Sequence, residues 1–326
     1  MAKRFNDLLK FLDESGYNSS ITALNADASF RRYYRGNDKN ILIMDAPTEK
    51  GESVDRFHNI QKILAAYNLS VPKIYSLDRS KGFMVLEDFG NDLYAKILNK
   101  SNENYYYKKT LDLLIELRKR SIKDPEKLLT LDKYSFDKLN EEAKIFFEWY
   151  IEQFKGKKIS DHEKNSFTQI LYDIYNKISP LEDTLVLRDY HVENIFYLSQ
   201  REGVKKVGLI DFQDALLGSN IYDLSSLLED VRNPLDLKLK ENLIQYYVER
   251  TELSIEEVIL QIKFFSIQRS LKIIGIFFRL HLRDNKDKYL KYLPNAFQII
   301  KINIQDPIFT DLKNWIKDLQ LEDLKI

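Results

Sequence analysis

One stretch constrains this chain more than any other: Leu187-Arg188-Asp189-Tyr190-His191-Val192-Glu193-Asn194, followed by two short apolar runs and then Asp211-Phe212-Gln213-Asp214. Residues 195–198 and 207–210 read as short strands joined through 199–206. A hairpin returns its last residue to its first, so Asp211 comes back beside Asn194. Asp189 and Asn194 stand five residues apart on the loop before it. The three side chains suit phosphoryl transfer, in which a protein mainly positions a hydroxyl and holds magnesium against phosphate oxygens. Asp189 can orient the proton of an attacking hydroxyl, and the Asn194 amide oxygen and Asp211 carboxylate are hard ligands of the kind Mg2+ prefers. Singly they also suit a turn Asp, a turn Asn and a helix cap. Their joint spacing favours the catalytic assignment.

A chain of 326 residues is long enough for two lobes sharing a cleft. The 50 basic and 50 acidic residues cancel, which removes the electrostatic argument for nucleic acid or an anionic membrane and favours a small-molecule substrate. The absence of cysteine excludes disulfides, thiolate nucleophiles and zinc sites built on Cys. His58, His162 and His281 show no ligand-like spacing. Residues 1–16 read as an amphipathic first helix rather than a signal peptide. The most apolar stretch, 271–280, carries Lys272 and Arg279 and is shorter than the roughly 20 residues that span a bilayer. A cytoplasmic protein with neither nucleic-acid nor membrane partners is expected.

Alternation predicts strands at 28–35 and 40–46 with a turn at 36–39, a helix at 53–67, and strands at 73–77 and 82–87. Residues 1–90 thus form a small N-terminal sheet lobe. From 91 to 326 the pattern is mostly helical: 105–120, 135–154, 160–178 opened by a Ser160/Glu163 capping box, 222–231, 237–249, 254–282 opened by Ser254, and weaker segments over 294–317 broken at Pro307. The fold class expected is α+β and bilobal. Asp88-Phe89-Gly90 spells the magnesium-binding tripeptide of protein kinases but precedes Asp189 instead of following it. It reads as a hinge at a strand end, where backbone groups pair with an adenine edge.

Five blocks together resemble a known family: 26–35 (ADASFRRYYR), 44–47 (MDAP), 86–90 (LEDFG), 188–194 (RDYHVEN) and 210–215 (IDFQDA). They are similar to the aminoglycoside phosphotransferase and choline kinase superfamily, which has a protein-kinase-like fold. Within it they look closest to the anomeric kinases of N-acetylmuramate and N-acetylglucosamine. The resemblance implies ATP and Mg2+ as cofactors, an amino-sugar acceptor and a sugar 1-phosphate product used in cell-wall sugar recycling. It implies Asp189 as catalytic base, Asn194 and Asp211 as metal ligands, and residues 26–35 as a lid over the phosphates, with Ser29, Arg31 and Arg32 as nucleotide contacts beside Glu87 and Phe89 of the hinge. Substrate contacts are expected from His191, Asp230 and Arg232, with loop packing and surface charge as the plain alternatives.

The chain departs from the general kinase pattern twice. The lid lacks glycine, and the strand Ile41-Leu42-Ile43-Met44 lacks the lysine that usually contacts nucleotide phosphates. Lys50 or one of Arg31, Arg32 and Arg35 is the expected substitute, since guanidinium forks match phosphate oxygens. Arg188 is expected to brace the catalytic loop through a carboxylate, with Asp223 the candidate. The aromatic residues Tyr105 to Tyr107, Trp149, Tyr150, Phe277 and Phe278 suit core packing better than a sugar-stacking wall. Two alternatives stay open: a kinase of another small alcohol, such as choline or an aminoglycoside, and a non-catalytic nucleotide-binding protein.

Overall fold

The computed structural model describes residues 2–17, 20–24, 30–37, 40–178, 182–321 and 324. Contacts divide the chain into two compact units, Met1–Asn99 with Glu193–Ala215, and Lys100–Val192 with Leu216–Ile326. The sequence had suggested one cut at residue 90; by contacts the hairpin that follows the Asp189 loop packs with the N-terminal segment.

The first unit opens with helix α1 (Ala2–Glu14), whose Leu8, Phe11 and Leu12 pack on Ile41, Ile43, Phe83 and Val85 of an antiparallel sheet. Strands β1 (Ile21–Ala23), β2 (Arg32–Gly36) and β3 (Ile41–Asp45) precede helix α2 (Val54–Ala66), and β4 (Ile74–Asp78) and β5 (Phe83–Glu87) follow it, in sheet order β1-β2-β3-β5-β4. Ile41 and Ile43 share one face because side chains alternate along a strand. Helix α2 opens on a cap, the Ser53 side chain accepting from the Arg56 N–H. The strand expected at 28–35 is shorter than predicted. Arg31 stands before it, Gly36 remains in the ladder opposite Ile21, and residues 25–29, including Ser29, lie outside the described residues. The partner strand β1 gave no sequence signal, because a three-residue edge strand has too little alternation to read.

After a short helix α3 (Tyr94–Ile97), the second unit begins with α4 (Glu103–Lys123) and α5 (Phe136–Phe146). The helix expected to reach residue 154 does so only by widening into a π-helical turn over Phe147–Phe154. Gly275 lies against this point: a Cβ there would sit 2.5 Å from the Ile145 carbonyl carbon. Helix α6 (Asp161–Ile178) has the predicted capping box in both directions, Ser160 N–H donating to Glu163 Oε2 (2.7 Å) and Glu163 N–H to Ser160 Oγ (3.2 Å). Strand β6 (Thr184–Val186) leads into the Asp189 loop. The hairpin of β7 (Ile195–Tyr197) and β8 (Val207–Leu209), in the first unit, forms as predicted with Ile195 opposite Leu209. Strand β9 (Leu216–Gly218) then pairs with β6, and helices α7 (Ile221–Leu228), α8 (Leu237–Thr251), α9 (Ile255–Leu282), α10 (Leu293–Asn303) and α11 (Thr310–Asp318) complete the second unit. Among the described residues no helix is long and apolar enough to cross a membrane.

Candidate active site

Asp189 sits on a loop built by carboxylates from elsewhere in its unit. Strand β6 ends at Val186, and the next two backbone N–H groups both donate to Asp223 on α7: Leu187 to Oδ2 at 2.6 Å and Arg188 to Oδ1 at 2.8 Å. Asp223 is fully buried. Burial pushes its carboxyl up to about 7, against the lowering effect of the two N–H donors and of Arg269. These bonds hold Arg188 at φ 72°, a left-handed conformation uncommon for a residue with a Cβ. The Asp189 N–H then closes a tight turn onto the Leu187 carbonyl (3.0 Å).

The guanidinium of Arg188 goes to Glu142 on α5, not to Asp223, whose two oxygens are engaged by backbone. It also lies 5.3 Å from the centre of the Tyr134 ring. Glu142 is shared with Lys272 (3.0 Å) and the Tyr134 hydroxyl (2.5 Å). Burial would raise the Glu142 carboxyl, but Lys272 and Arg188 hold it below the usual range. The neighbouring Tyr190 is buried and donates to the Thr110 carbonyl (2.9 Å), and His191 is buried beside it in sequence. Loop packing accounts for Tyr190.

In the first unit the base of the β7–β8 hairpin is closed by Ile210 N–H donating to the Asn194 carbonyl (3.2 Å), which places Asp211 next to Asn194 as the sequence implied. Asp211 is itself left-handed (φ 56°) and its side chain is 45% exposed. It accepts from Gln213 Nε2 at 2.9 Å, and Arg31 Nη1 lies 3.7 Å away. Among the described residues no three His, Cys, Asp or Glu side chains form a metal-holding group. One amide oxygen and one accessible carboxylate nevertheless fit Mg2+, which takes few protein ligands and completes its shell with water and phosphate. Asp214, 40% exposed, faces Arg56 at 3.8 Å.

The basic side chains of this unit divide sharply. Arg31 is buried, its Nε 2.8 Å from Glu52 Oε2. Burial works against its charge, yet Tyr33, Glu52 and Asp211 raise its pKa. Desolvation pushes the hydroxyl of the half-buried Tyr33 up to about 12. Arg35 turns to the hinge, bonding Asp88 (2.5 Å), Asn91 Oδ1 (2.8 Å) and the Gly90 carbonyl (2.9 Å). Arg32 is exposed, and Lys50 lies over the Phe30 ring at 4.7 Å. Asp88 also accepts from Gly90 N–H (2.8 Å) at a left-handed glycine, the geometry of a turn. Glu87 bonds Arg201 and the Lys73 N–H (3.2 Å). The Phe89 ring covers Gly208, where a Cβ would come within 2.8 Å of it.

Asp230 and Arg232, in the second unit, are not surface charges. Asp230 is 3% exposed; its Oδ1 accepts from Arg232 N–H (2.9 Å) and its buried Oδ2 has no hydrogen-bond partner among the described residues. The Arg232 guanidinium lies 6.0 Å from the Phe277 and Tyr292 rings. The turn that carries both is fixed by Asn233 to the Tyr107 hydroxyl (2.7 Å) and Asn295 to the Val231 carbonyl (2.8 Å). Tyr107, Tyr150, Phe277 and Phe278 are core residues, whereas Tyr105 is exposed. Sequence reasoning missed Glu52, Glu142 and Lys272, each a charged residue inside an ordinary helical or loop pattern with no local signal of its partner.

The family model described as "Phosphotransferase enzyme family" matches residues 20–257. The N-acetylmuramate/N-acetylglucosamine kinase of Pseudomonas putida is 30% identical over 311 residues, covering 92% of this chain and 88% of that protein. Among solved structures, a choline/ethanolamine kinase family protein from Mesorhizobium loti superposes with a TM-score of 0.65 at 12% identity, covering 98% of each chain. An ADP-bound aminoglycoside phosphotransferase superposes with a TM-score of 0.63 at 14% identity, covering 94% of this chain and 99% of that one. These likenesses establish the two-lobed α+β kinase-like fold. The chain belongs to the phosphotransferase enzyme family, as a small-molecule kinase with an alcohol group as acceptor.

Proposed function

We propose that this phosphotransferase moves the terminal phosphoryl group of ATP, with Mg2+, to the anomeric hydroxyl of an amino sugar, N-acetylmuramate or N-acetylglucosamine. The observation that carries the reading is the pinning of the Asp189 loop by buried Asp223, since a side chain that must aim one proton needs a backbone that does not move. Asp189 accepts the proton of the acceptor hydroxyl as its oxygen bonds to phosphorus; the bond from phosphorus to the bridging oxygen breaks and ADP leaves. Asn194 and Asp211 hold Mg2+, which supplies positive charge at the phosphates when bound. The backbone of residues 87–90 pairs with the base.

The acceptor assignment rests on the activity named for the P. putida relative and on charge. Asp230 is offset by Arg232, so this turn presents no acidic cluster of the kind a cationic aminoglycoside or choline requires. His191, Asp230 and Arg232 are assigned to hydroxyl and carboxylate groups of the sugar. Incubation with ATP, Mg2+ and each sugar, followed by phosphorus NMR, tests this directly. An anomeric phosphate signal is expected, and its absence with both sugars refutes the acceptor assignment.

A further inference from the structure

Three arginines surround the segment that precedes and forms β2, and only one of them is placed for phosphate. Arg35 is committed to the hinge through Asp88, Asn91 and Gly90, and Arg32 is exposed. Lys50 stands over Phe30. Arg31 differs from all three: it is buried, its Nε is fixed by Glu52, and its Nη1 is turned toward the Asp211 carboxylate at 3.7 Å. Glu52 is itself steadied, one oxygen accepting from the Phe30 N–H (3.3 Å), and it immediately precedes the Ser53 cap of α2.

We propose that Arg31, aimed by Glu52, is the phosphate-anchoring cation of the nucleotide site and replaces the lysine that β3 lacks. The inference rests on the reading of Asp211 as a metal ligand. A phosphate that shares a metal ion with Asp211 must come close to Arg31 Nη1, which stands 3.7 Å from the Asp211 carboxylate while Nε holds Glu52. Arg31 is also a placeholder. Its positive charge offsets Asp211 until metal arrives, then faces the phosphate, so the same guanidinium serves both states without leaving Glu52. Glu52 acts through Arg31 and is a positioning residue. The pairing joins the residue before β2 to the residue before the Ser53 cap of α2, which explains why no strand lysine is needed: the cation comes from the entry to β2, with its carboxylate partner at the helix entrance.

The test compares the binding of ATP with that of adenosine by calorimetry, so that it reads phosphate recognition without turnover. Arg31→Gln should weaken ATP about 10- to 100-fold, the range for loss of charge-assisted hydrogen bonds, and leave adenosine unchanged. Arg31→Lys, which keeps the charge and loses the fork, should recover part of the loss, and Glu52→Gln should weaken ATP by a smaller factor. Arg79→Gln, in an exposed pair with Asp55 just after β4, should change neither ligand. Thermal melting checks the fold of each variant; if Arg31→Gln does not fold, Arg31→Lys and Glu52→Gln carry the test through the same ATP-to-adenosine ratio. An unchanged ratio in folded Arg31 or Glu52 variants overturns the inference alone, as does an equal loss of both ligands. A wild-type protein that binds no ATP overturns the phosphotransfer reading and the inference with it.

Discussion

Arg188 and Asp211 are both held in left-handed backbone, one in each unit, and they are held in opposite ways. Among the described residues, the others with a side chain and positive φ, Asn68, Glu252, Asn285 and Gln320, follow the ends of α2, α8, α9 and α11, where such a conformation is an ordinary helix terminus. Arg188 and Asp211 end no helix. Arg188 is fixed by the buried carboxylate of Asp223 on its backbone and the half-buried one of Glu142 on its side chain. Asp211 has Gln213 at 2.9 Å, a distant guanidinium and nearly half its side chain in solvent. Strained backbone costs on the order of 1–3 kcal/mol and persists only where the surroundings over-determine it. The Arg188 turn is therefore framework for Asp189, whereas the exposed Asp211 carboxylate is the one of the two that, on the proposed function, would exchange partners on binding metal and phosphate.

The comparison is broken most severely at the chemistry itself. Asp189→Ala should lower kcat by about 10²- to 10⁴-fold, the usual worth of a positioned base, with ATP affinity near wild type by calorimetry. Asp223→Ala attacks the framework instead. It leaves two backbone donors buried without acceptors and should cost about 2–4 kcal/mol in urea unfolding, with loss of turnover as the Arg188 turn relaxes. Asp211→Ala should spare stability to within about 1 kcal/mol while abolishing metal-dependent turnover. If Asp211→Ala destabilised the protein as much as Asp223→Ala, the distinction between framework and exchangeable group would fail.

The two carboxylates of the framework should also separate by pH. Asp223 has its folded pKa raised from 3.8 to about 7, so its contribution to stability is fully present below the unfolded value and is lost as pH rises through about 7. Glu142 has its folded pKa lowered from 4.5, so its contribution is present above that value and is lost as pH falls through the folded one. Asp223→Asn keeps one acceptor and should cost about 1–2 kcal/mol on the acid side, with the gap to wild type closing toward neutrality. Glu142→Gln should show the reverse, a deficit near neutrality that shrinks in acid. Thermal midpoints measured across this range check both signs.

Much of this was legible in the sequence because it is local. The β7–β8 hairpin, the Ser160/Glu163 box and the Ser254 cap each depend on residues a few positions apart. The bracing of the site was not legible, because it is long-range. Asp223 was identified as loop support, but its partners are the backbone N–H groups of Leu187 and Arg188 and not the Arg188 side chain. Glu142 lies 46 positions before Arg188 inside a regular amphipathic helix, and nothing near it announces a guanidinium. Arg31 was one of three equivalent arginines until burial and Glu52 separated it from Arg32 and Arg35.

The smallest effect sharpens the contrast between Asp211 and the other Asp-Phe dipeptide, Asp88-Phe89. Asp88 is tied to Arg35 with side chains 11% and 33% exposed, a partly screened pair that links β2 to the turn after β5. Arg35→Ala should cost about 1 kcal/mol by urea unfolding, and Arg32→Ala, on the same strand with its side chain in solvent, less than about 0.5 kcal/mol. Asp88→Asn should cost about as much as Arg35→Ala, and the double variant little more, giving a coupling energy of about 1 kcal/mol. Turnover should keep its metal dependence in all four proteins. If Asp88→Asn instead shifted the metal concentration needed for turnover while Asp211→Asn did not, the roles of the two aspartates would have to be exchanged, and with them the placement of Arg31 and Arg35.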